Sequence, residues 1–136
     1  MVALTPEFIH SIQSAVFGVL GKGVRLIMVF GSYATGKARP DSDLDIALDA
    51  GTFISPEQHI ALISALASIT GGPIDLVDLR RVGEPLLGQI LQHGKRVYGA
   101  DEVYAKYLTQ HMIDMAEFVP LQNRILEERR RAWIGR

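Results

Sequence analysis

Phe30-Gly31-Ser32-Tyr33-Ala34-Thr35-Gly36-Lys37-Ala38-Arg39-Pro40-Asp41-Ser42-Asp43-Leu44-Asp45-Ile46 decides the reading of this 136-residue chain. Just before it, Arg25 to Phe30 (RLIMVF) is a short apolar run bounded by Gly21 and Gly23. It is too short for a helix of its own and predicts a strand buried on both faces. After it, Asp43 to Leu48 alternates apolar and polar with period two and predicts a second strand. The glycine- and proline-bearing segment between them predicts a loop holding at most one helical turn. Asp43 and Asp45, at i and i+2 of a strand, point to one face about 7 Å apart. Their like charges repel unless a cation lies between them. Hard carboxylate oxygens of this kind suit Mg²⁺, which completes its shell with water and substrate phosphate. The surroundings agree: Asp41, Asp43, Asp45, Asp49 and Glu57 occur within 41–57 with no Lys or Arg among them. A bare Asp-x-Asp is more often a solvated strand face, so the pair needs support from elsewhere.

Gly31-Ser32 supplies that support. A glycine directly after a buried strand lets the backbone turn sharply and a ligand approach closely. The serine hydroxyl and the amides that open a helical turn can cradle phosphate oxygens. Gly31 and Ser32, ten residues, then Asp43 and Asp45 offer the two halves of a metal–nucleotide site on adjacent strands.

Working outward, Thr5-Pro6-Glu7 is a helix start, followed by Phe8, Ile9, Ile12, Val16, Val19 and Leu20 at helical spacing. Ser55-Pro56-Glu57 opens a second helix, which Gly71-Gly72-Pro73 ends. Ile74 to Leu79 predicts a third strand, Glu84-Pro85 opens a short helix ending at Gly94, and Lys95 to Tyr98 predicts a small strand. Residues 101–134 are helical in pattern, with a kink or break expected at Pro120. This tail carries Tyr104, Leu108, Met112, Met115, Phe118, Leu121, Ile125 and Leu126 at three-to-four spacing. That stripe suits packing on the sheet, with part of it available to a partner helix. The order α-β-β-α-β-α-β plus helical tail defines an α/β (α+β) chain: residues 1–100 as the main domain, 101–136 as a C-terminal helical extension.

Composition narrows the function classes. The 48% hydrophobic content excludes a disordered chain, and 136 residues bury roughly two-thirds of their unfolded surface. Without cysteine there are no disulfides, thiolate metal sites or thiol nucleophiles. A net charge of −1 gives no bulk reason to bind DNA or an anionic membrane. No apolar stretch approaches membrane-spanning length, and no basic segment precedes an apolar run at the N-terminus, so a cytoplasmic protein is expected. His10, His59, His93 and His111 share no metal-motif spacing and are expected at the surface or in structural roles.

The G-S-Y-A-T-G-K-A-R-P-D-S-D-L-D stretch resembles the signature of the DNA polymerase β-like nucleotidyltransferase superfamily. Its wording is most similar to the minimal nucleotidyltransferases, the antitoxin partners of HEPN-domain toxins. The resemblance implies a small mixed sheet flanked by helices. It also implies Gly31 and Ser32 as triphosphate ligands, and Asp43 and Asp45 as ligands of Mg²⁺, with two ions expected. A third carboxylate is implied from a later strand, and Asp75 and Asp78 both fit. Three apart on a strand, they face opposite sides, so one alone can join the site; Asp75, at the strand start, is favoured. Arg39, in the connecting loop, is a candidate for phosphate or toxin contact, and Tyr33 a candidate either for the nucleotide pocket or for packing. The implied activity is transfer of AMP from ATP to a hydroxyl, a tyrosine of a cognate HEPN toxin, within a complex of the two proteins. The alternatives are nucleotidylation of an aminoglycoside-type small molecule, for which 136 residues leave little room to shape an acceptor pocket, and a non-catalytic antitoxin that acts by complex formation.

Overall fold

The structure, a computed structural model, describes residues 2–134. A helix α1 (Pro6–Leu20) and a 3₁₀ turn (Gly21–Gly23) lead into β1 (Leu26–Phe30), the one-turn helix α2 (Ser32–Thr35) and β2 (Leu44–Asp49). Helix α3 (Pro56–Thr70), β3 (Ile74–Asp78), α4 (Leu86–His93), β4 (Lys95–Gly99) and α5 (Asp101–Ile134) follow. The anticipated element order is therefore present.

The helix starts form for the reason their sequences suggest. Thr5 Oγ1 accepts from the Phe8 N–H at 3.1 Å at the head of α1. At α3, the Gln58 N–H donates to Ser55 Oγ at 3.1 Å and the Ser55 N–H donates to Gln58 Oε1 at 3.0 Å. This reciprocal pair satisfies two amides that no helical carbonyl can reach.

The four strands lie in the order β3-β2-β1-β4. β1 is antiparallel to both β2 and β4, while β2 and β3 are parallel, the crossover between them being made by α3. Leu26, Ile27, Met28 and Val29 are all nearly inaccessible, as expected for a central strand covered on two sides. Alternation divides them: Ile27 and Val29, with Leu44, Ile46 and Leu48, meet Ile12 and Val16 of α1 and Leu62 and Leu66 of α3. Leu26, Met28 and Ala47 form a second cluster with Leu87, Ile90 and Leu91 of α4 and with Tyr104, Tyr107 and Leu108 of α5.

Helix α5 differs from expectation at Pro120, where it continues without a break. A proline removes one N–H donor from a helix, which costs about 3 kcal/mol. The following residues Leu121, Gln122, Arg124, Leu126, Glu127 and Glu128 are strong helix formers and carry the helix on. The apolar stripe packs on the sheet only through its first two turns; Met112, Leu121, Ile125 and Leu126 are exposed, and the Phe118 side chain lies outside those described.

Replacing Ser55 by Ala removes one arm of the capping pair and should lower the unfolding free energy by about 1 kcal/mol. Ser68→Ala removes only a hydrogen bond from an exposed hydroxyl to the Ser64 carbonyl and should change stability by less than about 0.5 kcal/mol. Urea unfolding of the two variants checks the contrast.

Candidate active site

β1 delivers the chain to Gly31, whose φ of +69° is open to glycine and strained for other residues. The Asp45 side chain occupies the space where a side chain at 31 would begin: a Cβ there would overlap the carboxylate, with Asp45 Cγ at 2.9 Å. The glycine is thus required twice, for the turn and for the close approach of β2. The turn continues into α2, with Gly31 O accepting from the Ala34 and Thr35 amides at 3.1 and 3.2 Å. The Ser32 and Tyr33 amides, at the start of this turn, have no preceding helical carbonyl to bond.

Strand register sets the carboxylates. Asp45 pairs with Phe30 on one side and with Asp75 on the other. Neighbours in register share a face, so Asp45 and Asp75 stand side by side. Burial raises the Asp45 carboxyl to about 6, helped by the charge of Asp75, a hydrogen bond to the Asp75 carboxyl and the charge of Asp43. Asp43, just before β2, and Asp75 are both exposed.

Asp78 takes the other face and a different task. Its Oδ2 accepts from the Ile54 N–H at 2.9 Å and from Arg81 Nε at 3.3 Å, and its Oδ1 accepts from the Arg80 N–H at 3.0 Å. It organises the connections after β2 and β3 and is turned away from Asp45.

Arg39 sits in a tight turn closed by its own N–H donating to Ser42 Oγ (2.8 Å) and its carbonyl accepting from the Ser42 N–H (3.0 Å). It is exposed, near the carboxylates in sequence but not drawn against them. Tyr33 is buried, its ring 5.7 Å from that of Phe8, which settles its role as packing. His111 pairs with Glu84 through Nδ1 and is structural.

An all-carboxylate donor set in which burial and the neighbouring charges raise one member to about 6 fits a hard divalent cation, since such a charge would relieve the repulsion. Among the described residues no three such side chains are gathered into a ready-made metal cluster; the assembled part is the Asp45–Asp75 pair, with Asp43 adjoining. The sequence reading counted Asp49 among the acids around the metal site, but the structure sets it four residues beyond Asp45 on the same face of β2, away from the Asp45–Asp75 pair. It is buried and bonded to Tyr107. An acid closing a strand beside apolar residues was the available signal.

A glycine turn packed against a strand-borne carboxylate pair is the arrangement a nucleotidyltransferase-type site requires. Residues 19–103 match the family described as Polymerase beta, Nucleotidyltransferase, and the chain belongs to that family. More particularly, it is similar to two proteins named protein adenylyltransferase MntA. The Shewanella oneidensis protein is 36% identical over 85 residues, 60% of this chain and 61% of that one. The Thermococcus cleftensis protein is 43% identical over 79 residues, 57% of this chain and 80% of that one. The match thus spans about three-fifths of the Shewanella relative's length. Among solved structures, one chain of a toxin–antitoxin crystal structure with AMP-PNP superposes with a TM-score of 0.77 at 25% identity, covering 88% of this chain and 96% of that one. A chain from a complex of tri-AMPylated Shewanella oneidensis HEPN toxin with MNT antitoxin gives 0.62 at 26% identity, covering 87% and 98%.

The raised Asp45 carboxyl has a consequence for stability. Its folded value of about 6 lies above the ordinary 3.8, so its stabilising contribution is complete below pH 3.8 and is lost as pH rises through 6. Asp45→Asn, which carries no charge, should therefore raise the Tm of EDTA-treated protein at pH 7.5. The gain should shrink to nothing as the pH falls towards 4, and thermal melts across that range test it.

Proposed function

We propose that this chain transfers AMP from ATP to a hydroxyl of a partner HEPN-type toxin and thereby silences it. The observation that carries the reading is Gly31 packed against Asp45, with Asp75 beside it. The adenylyltransferase names of the relatives, and the AMP-PNP and AMPylated toxin in the matching complexes, support it.

Each residue has a task that follows from its position. Gly31, lacking a side chain, lets the Asp45 carboxylate stand against the turn whose amides would meet the triphosphate. The Ser32 hydroxyl and the amides opening α2 donate to phosphate oxygens. Asp43, Asp45 and Asp75 would hold Mg²⁺, two ions in this reading, which would supply charge neutralisation to the transferring phosphate. Asp75, exposed like Asp43 and beside Asp45, takes the proton of the acceptor hydroxyl in this reading. The acceptor oxygen bonds to the α-phosphorus, the α–β bridging P–O bond breaks and pyrophosphate departs, so positioning and charge carry most of the catalysis. Arg39, exposed on the connecting loop, is free to meet a phosphate or the partner. The acceptor is a tyrosine in this reading. The site opens outward at Asp43 and Asp75, which suits a hydroxyl presented by another protein. ATP and such a partner place the reaction in the cytoplasm. Among the described residues no helix is long and apolar enough to cross a membrane.

The test is to incubate the protein with ATP, Mg²⁺ and the HEPN-type protein encoded beside it, and to weigh that protein intact. Added AMP mass is expected; an unchanged mass from a folded preparation sinks the reading. Asp43→Ala with Asp45→Ala should cut transfer by about 10³-fold or more, since cation binding is worth several kcal/mol to the transition state. The melting temperature should not fall, because the double change removes a repulsive group.

A further inference from the structure

The sheet has a second chemically distinctive end. Asp49 closes β2 four residues beyond Asp45, about 13 Å along the strand. There Arg25, just before β1, Arg80, just after β3, and Lys106 on α5 line a cavity of about 220 Å³ together with Asp49, Tyr107 and Gln110. None of the three cations forms an ion pair among the described residues; the pairs present are Arg81–Asp78, Arg96–Asp101, His111–Glu84 and Arg131–Glu127. The obvious internal counter-charge is already engaged. Asp49 is only 4% exposed; its Oδ1 accepts from the Gly51 N–H at 2.8 Å and its Oδ2 from the Tyr107 hydroxyl at 2.7 Å. Burial and Asp49 push the Tyr107 phenol upward, so it remains protonated and committed to that carboxylate. Three cations against one carboxylate leave a net charge of +2 around a concavity in a chain whose total is −1.

Like charges held around a cavity repel one another, and its low-dielectric walls focus their field on whatever enters. An anion with more than one negative charge relieves this best, and two guanidinium groups match the oxygens of phosphate better than those of a halide. The volume admits more than one phosphate group but not a folded macromolecule. With the low total charge and no basic stripe, this favours a small ligand over a nucleic-acid strand.

We propose that this cavity is a binding site for a small oligophosphate anion of the pyrophosphate class, held by Arg25, Arg80 and Lys106 at the end of the sheet remote from Asp45. It is separate from the transfer site and stands whether or not the chain transfers AMP. Tyr107 is a positioning residue here: its bond to Asp49 withholds the carboxylate from the cations and leaves them to the ligand.

Calorimetric titration of the full chain in EDTA, at fixed ionic strength, tests it with inorganic pyrophosphate as the probe. Removing divalent cations silences phosphate binding at the carboxylate row, where repulsion then dominates. Saturable one-to-one binding is expected. Arg25→Gln with Lys106→Gln should weaken it at least about tenfold, the loss of two charge-assisted hydrogen bonds, and Arg80→Gln alone should weaken it in the same direction. Asp45→Asn should leave it unchanged. A parallel titration with ATP shows whether the phosphates of a nucleotide enter as well as the free anion. The proposal is overturned if binding is absent, if chloride at matched ionic strength competes equally, or if Asp45→Asn abolishes binding while the cation variants keep it. It is also overturned if a single-stranded RNA binds through these cations and pyrophosphate does not.

Discussion

The structure turns on one row of strand register. Phe30, Asp45 and Asp75 lie abreast on β1, β2 and β3, and a slip of one residue in either pairing would send a carboxylate to the opposite face. The antiparallel half of the row comes from the loop between β1 and β2; the parallel half requires the crossover through α3. Two unlike connections must therefore agree for the carboxylates to meet. Burial of Ile46 and Leu48 against α1 and α3 on the other face holds both pairings, since a slip would expose them. Apolar packing on one side of the sheet fixes charge placement on the other.

The two faces do different work. The α1/α3 side is closed by aliphatic contact, whereas the α4/α5 side is covered over only part of its length. At the Asp45 end the cover stops and the carboxylates reach solvent. At the Asp49 end Tyr107 brings α5 down onto β2 through a buried phenol–carboxylate bond. The neutral donors on Asp49 make that acid a structural anchor, and the cations around it stay unspent. A single strand thus carries acids of opposite character four residues apart, one crowded by like charge and one satisfied by hydrogen bonds.

Much of this was legible in the residues. Cap-plus-proline signatures at Thr5 and Ser55, glycine stops and the alternation of 43–48 placed the elements. Gly31-Ser32 with Asp43 and Asp45 pointed to the candidate site, because a metal–phosphate centre would need those residue types within one short connection. What could not be read depends on long-range placement. Whether Asp75 or Asp78 faces Asp45 follows from the parallel register, which no local pattern specifies. Pro120 signals a helix end locally, yet the surrounding helix formers carry α5 through it. Arg25, Arg80 and Lys106 lie on three separate elements, and only the folded sheet brings their charges around one hollow.

The two apolar clusters share the backbone of β1, β2 and β3. Neither can come apart without breaking the ladders that support the other, so the sheet has no cheap sub-global opening of its own. The carboxylate row belongs to this indivisible part. The geometry of Asp45 and Asp75 is therefore set before any ligand arrives, and whatever adjustment a nucleotide demands must fall on the irregular connection from Gly36 to Asp43. There Ala38, fully buried and with its carbonyl accepting from the Val2 N–H, leaves only the short arm around Arg39 and Pro40 free to follow the ligand.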